Sequence, residues 1–307
     1  MSGAAVPEVS AKVVMQLRQT TGLPMMKCKE ALEATGGDAQ KAVEWLRKKG
    51  LETAAKKADR IMKEGRVAIR VAKDGKSAAM VEVDCETEPV MNSADFKALV
   101  DGVADLVLSK AAGHHGEVAA AEVLGWPYGK GETVDTTVKH LVAKIGENMA
   151  VRRAVGYSGA ARIDHYLHHN AKTGVLIESK GDPKALSSKS VSEFAQGLAM
   201  HVAFAKPAGV RREEVPPALA EKEMEIYREQ AKADPKMANK PPAVVEKILQ
   251  GKLDKFFADK CLLEQPWSGP PLPAEVPNVK AALEGASKSA GGAIEVVRVA
   301  VFQVGAA

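Results

Sequence analysis

Large aromatic side chains are scarce in this 307-residue chain: Phe, Trp and Tyr make up 4% of it, against 46% for the hydrophobic types together. The core must be built from small and branched aliphatic side chains, so any exposed Met, Trp or Phe carries more weight as a contact residue. Cysteine is nearly absent. Cys28, Cys85 and Cys261 are widely separated and odd in number, with no CxxC pair and no secretory signal, which argues against a disulfide scaffold and predicts a reducing, cytoplasmic setting. No apolar run approaches the roughly 20 residues of a membrane helix, so no membrane partner is expected. Charge of one sign is not in excess either. With 43 basic and 39 acidic residues, net +4, direct nucleic-acid binding has little electrostatic support, and a protein partner fits better.

Chemistry-bearing motifs are also missing. There is no GxxxxGK[ST] phosphate loop, and Gly129-Lys130-Gly131 lacks both the upstream glycine and the magnesium-binding hydroxyl, so the chain does not read as an NTPase. His165, His168 and His169 have no cysteine or carboxylate at ligand spacing to complete a zinc site, and neither metal nor cofactor is expected. A Cys85 nucleophile would need a positioned base and a substrate site, which the sequence does not supply; a buried cysteine at a strand end is the simpler reading. An enzyme is therefore not expected.

What the chain does have begins with three short helical signals. Val13, Val14 and Leu17 form one apolar stripe, stopped by Thr20-Thr21-Gly22. Met26 to Thr35 puts Cys28, Ala31 and Leu32 on one face and ends at Gly36-Gly37. Asp38 stands where an N-cap belongs, and Ala42, Val43, Trp45 and Leu46 stripe a third helix that closes at Gly50. So small a module builds a thin core, and the Met25-Met26 pair is expected at its surface, touching a neighbour or partner.

Residues 53–64 read as a helical or basic linker, with Lys56, Lys57, Arg60 and Lys63 on a solvated face and Gly65 as its end. Alternation through Val67, Ile69 and Val71, an Asp74-Gly75 turn and a second alternation from Ala79 to Cys85 predict a β-hairpin, followed by a helix over 95–110. A related order recurs: a helix over 136–148, strands over 150–156, 161–168 and 175–179, and a helix over 190–205. The fold class is α+β, with two-part antiparallel sheets covered by helices. The halves are expected at 65–134 and 135–215 after a docking module at 1–52. Residues 216–260 form an antiparallel helical hairpin broken at Asp234-Pro235 and Pro241-Pro242, and 261–307 hold a Pro-rich linker, a C-terminal segment and a final strand from 294 to 304. Between hairpin and helix, Asp84-Cys85-Glu86-Thr87-Glu88-Pro89-Val90 ends a strand in acidic residues and a backbone-fixing proline, a rigid tip suited to insertion into a partner.

The stretches Val14 to Gly22, Met25 to Leu32, Gly36-Gly37-Asp38, Ala42 to Arg47, Val81 to Thr87, Val142 to Asn148, Met200 to Ala203 and Cys261 to Pro266, taken together, resemble the bacterial elongation factor Ts family, guanine-nucleotide exchange factors of elongation factor Tu. The resemblance spans nearly the whole chain. It implies an N-terminal module similar to ubiquitin-associated domains, a two-part core and a protruding hairpin. It also implies elongation factor Tu, GDP-bound and nucleotide-free, as partner, with GDP released for exchange by loosened magnesium and phosphate contacts and no covalent catalysis. On this resemblance Arg18, Met25 and Met26 dock on the partner's nucleotide-binding domain, His168 reaches the partner, and Glu88, Pro89 and Val90 form the core contact. The family carries Asp-Phe where this chain has Glu88-Pro89, so the acid is kept and the aromatic wedge is lost. That substitution motivates an alternative reading, a binding or holding protein for elongation factor Tu with reduced exchange; homodimerisation through the hairpin is left open.

Overall fold

The computed structural model describes residues 9–306 apart from 111, 112, 114, 130, 239 and 271–275. Three helices open it: α1 (Ala11–Thr21), α2 (Met25–Ala34) and α3 (Ala39–Ala55). Their ends follow from local chemistry. The Ser10 side chain accepts from Val13 N–H at the start of α1, and Gly22, at φ 68°, closes it with an N–H to Arg18 O at 2.8 Å. Asp38 caps α3 by accepting from Gln40 and Lys41 N–H, both at 3.0 Å, bonds that hold its carboxyl below the usual range. Val14, Leu17, Cys28, Ala31, Leu32, Ala42 and Leu46 form the module's small core.

The third helix does not close at Gly50. It continues to Ala55, with Gly50 buried at a close approach to a later helix: a Cβ there would lie 3.2 Å from the Ala143 methyl. Tertiary packing overrides the local stop signal. Gly65, expected to end the linker, is instead the second residue of a strand.

The chain continues through β1 (Glu64–Val71), β2 (Ala78–Cys85), α4 (Glu88–Asn92), α5 (Ala94–Lys110), β3 (His115–Val118), α6 (Ala120–Gly125), β4 (Pro127–Tyr128), β5 (Glu132–Thr133), α7 (Val134–Ile145) and β6 (Met149–Tyr157). Then come β7 (Arg162–Leu167), β8 (Thr173–Gly181), α8 (Pro183–Leu186), α9 (Lys189–Ala205), α10 (Pro217–Ala233), α11 (Pro235–Ala238), α12 (Pro242–Lys260), α13 (Val279–Ala290) and β9 (Ile294–Gln303). One sheet has the order β1-β2-β6-β3 and another β7-β8-β9, with β4-β5 as a small ribbon; all paired strands are antiparallel. The chain is α+β, as its patterning predicts.

The division between the sheets differs from the expected boundary at 134/135. Strand β6 pairs with β2, Val81 opposite Ala154 and Cys85 opposite Met149, so α7 and β6 belong with the first sheet. The helix α13 lies in the stretch expected to be linker and C-terminal segment. Its buried stripe is Val279, Ala282 and Ala286, and alanines give little periodic signal.

The two sheets pack face to face, with helices on the outer face of each. Val81, Val83 and Cys85 of β2 point to the α5 and α7 side, with Phe96, Leu99, Val103 and Val138. Ala78 and Met80, alternating with them, point into the layer between the sheets with Val67, Leu176 and Phe302. On the far side α9 and α13 cover the second sheet through Phe194, Leu198, Val202, Val279 and Ala282. The helical hairpin α10–α12 projects from this body, joined at its base by Val215, Phe256 and Cys261. Among the described residues, no helix is long and apolar enough to cross a membrane.

A salt bridge between a buried acid and a half-buried arginine ties the sheets together. Glu82, 1% exposed, faces the intersheet layer and accepts from Arg153 Nε at 2.7 Å. Arg153 also donates to Gln303 O at 3.2 Å and lies over the Phe302 ring, 4.4 Å from its centroid. Burial, opposed by Arg153, pushes the Glu82 carboxyl up to about 7 from its ordinary 4.5. Between those values the folded chain holds more protons at Glu82 than the unfolded chain, so this site's contribution to stability falls as pH rises through that window. Glu82→Gln is expected to lack that fall: the gap between the two chains' denaturation midpoints should change with pH from about 4.5 to about 7, and parallel curves would contradict the assignment. A second prediction concerns the same layer. A Cβ on Gly174 would lie 2.6 Å from Val67 Cγ1 and 2.9 Å from Met80 Sδ, so Gly174→Ala is expected to destabilise the fold. The cost should be roughly 1–3 kcal/mol, read as a lowered denaturant midpoint.

Candidate functional site

The residues expected to touch a partner fall on two adjoining surfaces, both positioned by the last turn of α7. The first is the turn between α1 and α2. Arg18 lies in the last turn of α1, Met25 and Met26 open α2 after Pro24, and all three are exposed, Met26 by 74% and Met25 by 45%. Val14, Leu17 and Cys28 take the inward positions of the same helices, which leaves the two thioethers no inward place. Lys27, next in sequence, turns to the core and donates to Ala143 O at 2.8 Å, while Lys144 packs beside Gly22 and pairs with Asp95 at 2.9 Å. The exposed methionines therefore sit on a turn held against α7.

The second surface is the tip after β2. The strand ends at Cys85 and α4 begins at Glu88, so Pro89 occupies the first turn of a short helix, where its missing N–H leaves no bond unmade. Glu88 and Pro89 are exposed, but Val90 is only 8% exposed and packs into the core behind the first sheet. Val90 thus holds the tip down rather than presenting surface, because one residue of a helical turn must face inward. Glu147, just past the Gly146 cap of α7, accepts from Thr87 N–H at 3.1 Å and Thr87 Oγ1 at 2.8 Å. Glu86 in turn accepts from Asn148 N–H at 2.5 Å. The tip is an anchored loop with an acidic, apolar end.

His168 belongs to this second surface. It follows β7 in a turn where its N–H donates to Thr173 O at 2.9 Å and its Nδ1 lies 2.6 Å from the Tyr166 hydroxyl. Ala171 takes φ 54°, and its carbonyl accepts from Val67 N–H at 2.7 Å, which docks the turn on β1. Lys172 pairs with Glu64 at 2.5 Å, and that hydrogen bond raises its pKa, with the field of Glu88 adding to it. The His168 turn and the Glu88 tip thus share the end of the first sheet where β1 begins and β2 finishes.

The Cys85 thiol lies buried behind this surface and donates to Thr87 O at 3.4 Å. Burial pushes it up to about 12, so it stays a neutral thiol and is no nucleophile at neutral pH. Among the described residues no three His, Cys, Asp or Glu side chains converge on a point that could hold a metal. Sequence reasoning assigned no role to Glu147, Asn148, Lys27 or Lys172. A polar pair directly after a glycine helix cap was the available signal for Glu147 and Asn148; nothing local marks the two lysines, whose partners lie far away in sequence.

Residues 86–306 match the family described as "Elongation factor TS". The chain is 38% identical to elongation factor Ts of Clostridium botulinum (strain Alaska E43 / Type E3), covering 97% of this chain and 93% of that protein. It is 37% identical to elongation factor Ts of Aquifex aeolicus (strain VF5) over 97% and 98% of the two chains, and 41% identical to that of Symbiobacterium thermophilum over 85% and 81%.

Removing the Glu147 carboxylate should loosen the tip without unfolding the core. Glu147→Ala is expected to cost about 1 kcal/mol locally, since the two bonds it accepts are charge-assisted but solvent-screened. The readout is faster amide hydrogen exchange at Thr87 with unchanged exchange in β2; unaltered protection at Thr87 would show that the tip is held by other means.

Proposed function

Because the chain belongs to the elongation factor Ts family of translation elongation factors, we propose that it binds elongation factor Tu in its GDP state and promotes GDP release and exchange for GTP. The observation that carries this reading is the anchored tip: Glu88 and Pro89 stand exposed on a backbone fixed by Glu147, beside the His168 turn. Such a tip reaches into a partner without paying for loop ordering on binding. The acidic side chain acts on the magnesium and phosphate contacts of the bound nucleotide, and the rigid proline fills an apolar slot with less area than an aromatic ring. Arg18, Met25 and Met26 supply docking through adaptable thioethers and one charge. No bond is made or broken. The factor and GDP weaken each other's binding to the partner by the same factor, as linkage requires.

The test is release of fluorescent GDP from elongation factor Tu as the factor is titrated. Glu88→Ala is expected to lower the maximal release rate. Met25→Ala should instead raise the half-saturating concentration, by roughly five- to thirtyfold if the side chain contributes about 1–2 kcal/mol to the interface. An unchanged GDP off-rate at saturating factor would end the exchange reading, and equal effects of both substitutions on affinity alone would end the division of labour.

A further inference from the structure

The segment between α3 and β1 reads in sequence as a solvated basic linker, and its structure is more definite than that. Four contacts hold it, two to its backbone carbonyls and two through its own side chains. Asn148, 6% exposed, donates from its amide to Ala58 O and Arg60 O, both at 3.1 Å. Lys57 Nζ donates to Gly146 O at 2.5 Å, and the Arg60 guanidinium lies 3.5 Å from the Glu86 carboxylate. The segment is therefore tied to the end of α7 and to the tip itself. The next residue, Ile61, is 77% exposed.

An isolated exposed aliphatic side chain is ordinary on a protein surface. Two features set Ile61 apart. It is β-branched and follows directly on a pinned residue, so little conformational freedom remains to be lost when it is covered. It also precedes the start of β1, where Glu64 is paired with Cys85, so it stands at the same end of the first sheet as exposed Pro89 and as Leu167, 40% exposed beside His168. Glu86, which pairs with Arg60, and Glu88 lie at this same end of the sheet. We propose that Ile61 is a direct contact residue for elongation factor Tu, supplying with Pro89 the apolar part of the surface whose acidic part is Glu88. This rests on the reading of the chain as a binder of elongation factor Tu, and gives that surface an anchor outside the tip itself.

The experiment uses the full chain with Ile61→Ser and Ile61→Val, with Met26→Ala in parallel, and measures binding to elongation factor Tu and the thermal midpoint of each free variant. Ile61→Ser is expected to weaken binding about tenfold or more, the scale of burying one branched aliphatic side chain. Ile61→Val should stay within a few-fold of the unsubstituted chain, and all midpoints should be unchanged because the side chain is exposed in the free protein. Binding by Ile61→Ser within twofold of the unsubstituted chain, while Met26→Ala binds more weakly, would overturn this inference and leave the proposed function standing. A lowered midpoint for Ile61→Ser would also overturn it, by assigning the side chain a structural role. No binding by the unsubstituted chain would overturn both.

Discussion

Most of the candidate surface depends on how one helix ends. At the C-terminus of α7 the carbonyls of Ala143 and Gly146 accept from Lys27 and Lys57, and the next two residues bind the tip, Glu147 through Thr87 and Asn148 through Glu86. The last carbonyls of a helix have no intrahelical partner and carry partial negative charge, which suits lysine ammonium groups. The helix terminus thereby joins the α1–α2 turn, the segment before β1 and the tip after β2. Three segments from distant parts of the chain acquire fixed relative positions through residues 143–148.

That arrangement separates rigidity from exposure. The side chains expected to meet a partner, Met25, Met26, Glu88 and Pro89, all point outward, while their immediate neighbours Lys27, Thr87 and Val90 are tied to the core. A surface with its backbone already ordered loses less entropy on association than a flexible loop of the same composition. The scarcity of aromatics fits this logic. On the proposed function, where large anchors are few, affinity comes from smaller side chains held in place, Pro89 among them.

Beneath the surface, the intersheet layer determines which strand belongs where. Glu82 and Arg153 join β2 to β6, and Arg153 continues to Gln303 and Phe302 of β9. An ion pair whose acid is buried contributes little net stability but disfavours arrangements that leave that acid unpaired. It therefore favours one stacking of the two sheets in a layer otherwise filled by apolar and aromatic side chains such as Met80, Leu176 and Phe302.

The sequence by itself determined the elements whose signals are local. The stripes of α1, α2 and α5, the Asp38 cap, the Asp74-Gly75 hairpin turn and the exposure of the methionine pair all follow from periodicity and from residues that restrict their own backbone. It also carried the family, because motifs such as Met25 to Leu32 and Val81 to Thr87 are contiguous. Only the tertiary structure decided the rest. It carried α3 through Gly50, paired β6 with the first sheet, turned Val90 inward and made a helix of the alanine-striped residues 279–290, each time because the deciding contact lay far along the chain. The same holds for the surface itself: Ile61, Glu88 and His168 are distant in sequence, and the contacts that bring them to one end of a sheet run through Glu64, Asn148 and Glu147.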